Sequence, residues 1–149
     1  MHLLPDTSAM AKRYVHETRS AEVSGLLSDA TNVITVSQLL RTEFVSVLGR
    51  RRREGKMSEE EVAEAWALFR VHQRTRYRVT ALTLNVQVAA ERLLLSHSLR
   101  AADALHIASA LEVDSAARSA GIEFAFLTAD RQQANAAEAE GLTVIYVGD

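Results

Sequence analysis

The chain has 149 residues, 17 Lys plus Arg against 19 Asp plus Glu, and a formal net charge of −2. That length allows one domain with a real core, and the charge makes no global case for nucleic acid. With no Cys, disulfides and thiolate metal sites are excluded. No apolar run reaches the length of a membrane span, and the start MHLLPDTSAM lacks the basic residues and long apolar stretch of a signal peptide. The composition is compatible with the cytoplasm.

A short apolar start, His2 to Leu4, ends at Pro5-Asp6, and Asp6-Thr7-Ser8 then opens a helix over Ala9 to Val15. A second short helix fits Ser20 to Ala30. Val33 to Val36 is β-branched and reads as a buried strand. Ser37 is placed to cap a helix from Gln38 to Arg53, ending near Gly55. Ser58 followed by Glu61 makes a capping box for a helix to Gln73. Val79 to Leu82 reads as a strand, and Asn85 to His97 and Ala101 to Ser119 as helices. Phe124 to Leu127 is a strand, Gln132 to Glu140 a helix stopped by Gly141, and Thr143 to Val147 the last strand. Strands alternate with helices, which favours a parallel sheet covered by helices and a single domain over 1–149.

Four carboxylates stand in unusual places. Asp6 and Asp130 follow strands, where open parallel sheets bind ligands. Glu43 has Leu39 and Val47 four residues either side, and Asp103 has Leu99 and Ile107. Both therefore point with the apolar face of a helix. Each has a structural alternative: Asp6 and Asp130 as helix caps, Glu43 and Asp103 as partners of an Arg, with Arg100 near Asp103. One shared site accounts for all four at once. A cluster of such acids needs a divalent cation as neutraliser and suits metal-assisted cleavage of a phosphodiester. His106, three residues after Asp103, reads as a satisfied core histidine. Trp66 with Val62 and Phe69 reads as a core stripe. Arg50, Arg51, Arg52 and Arg53 form a basic run that would meet phosphate or simply complement a helix end.

At these residues the chain resembles PIN-domain ribonucleases, specifically VapC-type toxins of toxin–antitoxin pairs. The matching segments are LLPDTSAMAKRYVHE, VSQLLRTEFVSVLGRR, HSLRAADALHIASAL and FLTADRQQANAAEAEGLTV, in family order and over nearly the whole chain. The resemblance implies a three-layer α/β sandwich with a five-stranded parallel sheet in order 3-2-1-4-5. It implies Mg²⁺- or Mn²⁺-dependent cleavage of RNA, a homodimer, and a small VapB-like antitoxin that blocks the site. Asp6, Glu43, Asp103 and Asp130 would be the catalytic, metal-holding quartet, with Thr7, Ser8 and Thr128 as supporting hydroxyls. RNA would be steered by Arg residues including Arg50 to Arg53. Pro5 departs from the family pattern, and its missing donor is expected to end the first strand early or seat it differently. The rival reading is a PIN-fold module that binds protein without catalysis.

Overall fold

The computed structural model describes residues 1–149. Five strands, β1 (His2–Pro5), β2 (Val33–Ser37), β3 (Tyr77–Thr80), β4 (Phe124–Thr128) and β5 (Val144–Tyr146), form one sheet in order β3-β2-β1-β4-β5. All neighbouring pairs are parallel. Seven helices join them: α1 (Thr7–Tyr14), α2 (Ser20–Ser28), α3 (Leu40–Arg53), α4 (Glu59–Thr75), α5 (Leu84–Ser96), α6 (Ala101–Ser119) and α7 (Arg131–Ala139). The order expected from the resemblance is the order found.

Strand side chains alternate between the two faces of the sheet. Leu3, Ala125 and Leu127 enter a core with Phe44 and Phe69, packed by α1 to α4. Leu4, Phe124 and Phe126 enter a second core lined by Ala104, Ala108 and Ala110 of α6 and by residues of α5 and α7. The small residues of α6 let its backbone approach the sheet. Phe69 is fully buried, and Trp66 stacks on it with centroids 5.7 Å apart. Of the stripe expected to be core, Phe69 is core, and Val62 and Trp66 are partly buried and pack against it. No helix is long and apolar enough to cross a membrane.

Three local expectations are corrected. Pro5 does not end β1 early, because it stays in register with Leu127 of β4. His2 and Asp6 donate their N–H groups toward β4, to Glu123 and Leu127. Alternation then turns Pro5 toward β2, whose pairing with β1 stops after Leu3. The missing donor therefore falls where no ladder bond is required. Ser37 is the last residue of β2, not a helix cap: α3 starts at Leu40, and Ser37 only accepts a 3.2 Å bond from the Leu39 N–H. β3 begins at Tyr77, two residues before Val79, because it runs alongside β2 from Ile34 to Ser37. Pairing with β2, rather than local preference, sets its limits.

Candidate active site

β1 and β4 lie side by side and end together, so the residues after them meet. Asp6 caps α1, with Oδ1 accepting the Ala9 N–H at 2.9 Å. Ser8 Oγ lies 2.8 Å from both Asp6 carboxylate oxygens, and Thr128 Oγ1 lies 3.1 Å from Oδ2. Asp130 caps α7 through a 3.0 Å bond from the Gln133 N–H. Its own N–H donates to Thr128 Oγ1 at 3.0 Å, and the Ala129 N–H donates to Ser8 Oγ at 3.0 Å. Capping and a shared site are therefore not alternatives: the same carboxylates do both.

The helical acids reach the same place. Glu43 Oε1 accepts the Thr7 hydroxyl at 2.8 Å and bonds closely to Nε2 of His106. A carboxylate only accepts, so the proton of that bond sits on Nε2. His106 is 2 % exposed and its Nδ1 has no partner. It is buried, as expected, but its bonds to Glu43 and Thr7 place it in the site. Asp103, near the start of α6, accepts from the Arg100 N–H and Nε, both at 3.4 Å. α6 opens with no side-chain cap.

These residues line one cleft of about 510 Å³: Asp6, Thr7, Ser8, Glu43, Asp103, His106 and Asp130, joined by Glu17 and Asp149. Thr128 lies behind it, fully buried. The four-arginine run does not act as a unit. Arg50 and Arg51 line the cleft, while Arg52 and Arg53, the last residues of α3, do not. Arg52 lies 3.9 Å from Glu59 instead. Lys12 and Arg100 take the places on the cleft wall that the run leaves open.

Burial raises the Asp6 carboxyl above its ordinary range, against the lowering effects of His106, the Ala9 N–H, Ser8 and Thr128. Burial also opposes ionisation of Glu43, but the His106 bond and charge, the Thr7 hydroxyl and Arg100 outweigh it. The Glu43 carboxyl is held below its ordinary range.

A PIN domain family model matches residues 3–139. Two proteins of Mycobacterium tuberculosis, "Ribonuclease VapC45" of strain CDC 1551 and "Ribonuclease VapC49" of strain H37Rv, are each 35% identical over 111 residues. Those matches cover 72% of this chain and 74% of each relative. The chain belongs to the PIN-domain family, among the VapC ribonucleases. Solved structures agree on the fold. M. tuberculosis VapC20, described as a sarcin-ricin loop cleaving toxin, superposes with a TM-score of 0.65 at 20% identity, covering 97% of this chain and 98% of that one. VapBC2 of Rickettsia felis, bound to a DNA fragment from its promoter, gives 0.62 at 12% identity, with 98% of each chain covered.

The donor chemistry of this PIN domain suits a hard divalent cation. Asp6 is 4 % exposed, and neither it nor Asp130 takes part in any ion pair. Glu43 Oε2, Asp103 Oδ1 and Asp130 Oδ2 carry no hydrogen bond and remain available. No three acidic or imidazole groups are gathered into a single coordination shell. The free oxygens belong to carboxylates beside hydroxyls, the oxygen donors that hard divalent cations take.

Two residues of the PIN site escape a reading of the sequence. His106 is one, since nothing in its helix announces a partner 63 positions away. Gln133 is the other. Fully buried, its Oε1 lies 3.0 Å from the Thr128 hydroxyl, and its Nε2 donates to the Asp103 carbonyl at 3.3 Å. It ties the end of β4 to the first turn of α6.

Proposed function

We propose that the protein is the toxin of a toxin–antitoxin pair, a divalent-metal-dependent endoribonuclease that cleaves RNA phosphodiesters and is neutralised by a small VapB-like antitoxin. It acts in the cytoplasm as a homodimer. The observation that carries the reading is the convergence of Asp6, Glu43, Asp103 and Asp130 on one polar cleft, with ordered hydroxyls beside them. The R. felis and Haemophilus influenzae neighbours are VapBC structures, which supports a VapB-like partner here.

Asp6, Asp103 and Asp130 would hold Mg²⁺ or Mn²⁺. When bound, the cation supplies charge neutralisation at the phosphate and lowers the pKa of water in its shell. Ser8 and Thr128 keep the Asp6 carboxylate oriented from both sides, and Thr7 does the same for Glu43. Glu43 stays ionised, with Oε1 fixed by His106 and Oε2 free. That free oxygen is placed to orient the attacking water by accepting a hydrogen bond from it. Burying Asp6 without an ion pair gives the site a cost that a cation offsets.

A non-catalytic binding module would be expected to have lost part of this set, yet all four acids remain. The test is induced expression in a bacterial host, with sequencing of RNA 5′ ends in wild type and Asp103→Asn. Growth arrest with a few discrete new ends in wild type only is the expected result. Arrest of equal strength in both would overturn the catalytic reading.

A further inference from the structure

The cleft wall carries four cations from Lys and Arg side chains, and they are not equivalent. Lys12 is buried at 6 % exposure and spent internally: Nζ donates to the Thr18 carbonyl at 2.9 Å and sits 3.5 Å from Glu17. Arg51 is ion-paired with the other oxygen of the same Glu17. These two neutralise an acid of the wall and have little charge left for a ligand.

Arg50 and Arg100 differ on every count. Arg50 is exposed, shares the face of α3 that bears Glu43, Ser46 and Val47, and has no ion pair. Arg100 has an 84 % exposed side chain. Its only partner is Asp103 at 3.4 Å through Nε, which leaves both terminal guanidinium nitrogens unbonded. It lies near enough to Glu43 to help hold that carboxyl ionised. Arg50 comes from α3 and Arg100 from the start of α6, so the two stand on different walls with the acids between them. A guanidinium fork in water with unfilled donors suits a phosphate oxygen pair. An acid-lined floor repels a polyanion unless cations flank it.

We infer that Arg50 and Arg100 are the phosphate contacts of the substrate, bracketing the scissile position, so that the RNA backbone crosses the cleft from α3 to the start of α6. This rests on the ribonuclease reading and deepens it. Of the Arg50–Arg53 run, only Arg50 then serves RNA. Arg51 is held by Glu17, Arg52 lies 3.9 Å from Glu59, and Arg53 stands a turn beyond Arg50, outside the cleft.

The test is fluorescence anisotropy of the full chain with a fluorescein-labelled single-stranded RNA of mixed sequence, in EDTA to prevent cleavage. Affinity is followed from about 50 to about 400 mM KCl, where each phosphate contact on a single strand contributes about 0.7 to the slope of log K against log salt. Arg50→Gln and Arg100→Gln should each lower the slope by about that amount, and the double variant by about twice it. Arg52→Gln and Arg53→Gln should leave it unchanged. In Mn²⁺-dependent cleavage Arg50→Gln should raise KM roughly 5- to 10-fold with kcat nearly retained, as expected for a contact made equally in ground and transition states, whereas Arg100→Gln should raise KM and also lower kcat, because Arg100 holds Asp103 and helps keep Glu43 ionised. A steep wild-type slope that Arg50→Gln and Arg100→Gln do not change, or that Arg52→Gln and Arg53→Gln reduce equally, overturns this inference alone. A flat wild-type slope together with no Mn²⁺-dependent cleavage overturns the ribonuclease reading and this inference with it.

Discussion

Asp6 and Asp130 follow strands and cap helices, whereas Glu43 and Asp103 project from within helices. The first pair is fixed by the fold itself. Each carboxylate accepts a helix N–H, and Thr128 links them by bonding the Asp6 carboxylate and the Asp130 N–H. The second pair leans mainly on side chains: His106 and Thr7 for Glu43, and for Asp103 the Nε of an exposed Arg100 together with that residue's own N–H, both at 3.4 Å. Acids that double as caps tie chemistry to stability. Acids on helix faces leave the two separable.

The largest expected effect sharpens this contrast. Asp6→Asn and Asp103→Asn should each reduce metal-dependent RNA cleavage by more than about 100-fold, beyond the range for groups that only support a metal ligand. Stability should split the pairs. Asp130→Ala removes a cap and should cost about 1 kcal/mol, seen as a fall in Tm of about 2–4 °C in a chain of this size. Asp103→Ala should stay within about 0.5 kcal/mol of wild type. Metal-free thermal unfolding beside an RNA cleavage assay checks both. Equal losses of Tm in Asp103→Ala and Asp130→Ala would erase the distinction.

The same contrast explains what could be read from the residues. Strand ends and caps are local, so Asp6 and Asp130 were visible as helix starts, and Ser58 with Glu61 as a capping box, which forms as expected. The apolar neighbours of Glu43 and Asp103 gave away their direction. The order of the strands came from family resemblance rather than from any spacing. What stayed hidden depends on long-range contact. β3 was misplaced by two residues because its limits are set by β2. The arginine run looked like one patch because a linear stretch does not show which of its residues a helix end carries past the cleft. Gln133 looked like an ordinary polar residue of a short helix, and only the packing of α7 between β4 and α6 buries it.

Gln133 is where the two pairs of acids are joined, so removing it tests whether they act as one site. Gln133→Leu keeps the bulk and loses the bonds to Thr128 and the Asp103 carbonyl. The Asp103 carbonyl keeps its helix bond and Thr128 keeps Asp6, so the loss is that of the two hydrogen bonds themselves, about 0.5–1.5 kcal/mol each, and cleavage should fall about 10-fold, the lower end for a residue that orients ligands. The loss should appear in kcat and in weaker Mn²⁺ binding by calorimetry, with KM for RNA unchanged. A Tm decrease without change in Mn²⁺ affinity would mean that Gln133 only packs α7.

The smallest effect lies at the far end of α1, the helix that starts from Asp6. There Tyr14 packs against Phe44 and Phe69, and its hydroxyl meets Tyr77 and, at 2.8 Å, Nδ1 of His72. Arg13 donates to the Tyr77 hydroxyl at 3.0 Å. Burial first, then Arg13 and Arg76, holds the His72 imidazole below its ordinary value of 6.5. The unfolded chain therefore binds the His72 proton more readily than the folded one. The stability this neutral imidazole contributes is present above pH 6.5 and is lost as pH falls below it. His72→Gln should flatten that part of the pH–stability curve, measured as the difference between variant and wild type in urea unfolding. Because the cluster ties α1 to Phe44 of α3 and Phe69 of α4 and does not include α6, the acid-side loss should loosen the Asp6 and Glu43 side of the site before the Asp103 side. Protection factors of α1 amides, corrected for the pH dependence of intrinsic exchange, should fall between neutral and mildly acidic pH while those of α6 stay constant. Equal falls in both helices would show that the two halves of the site are not held independently.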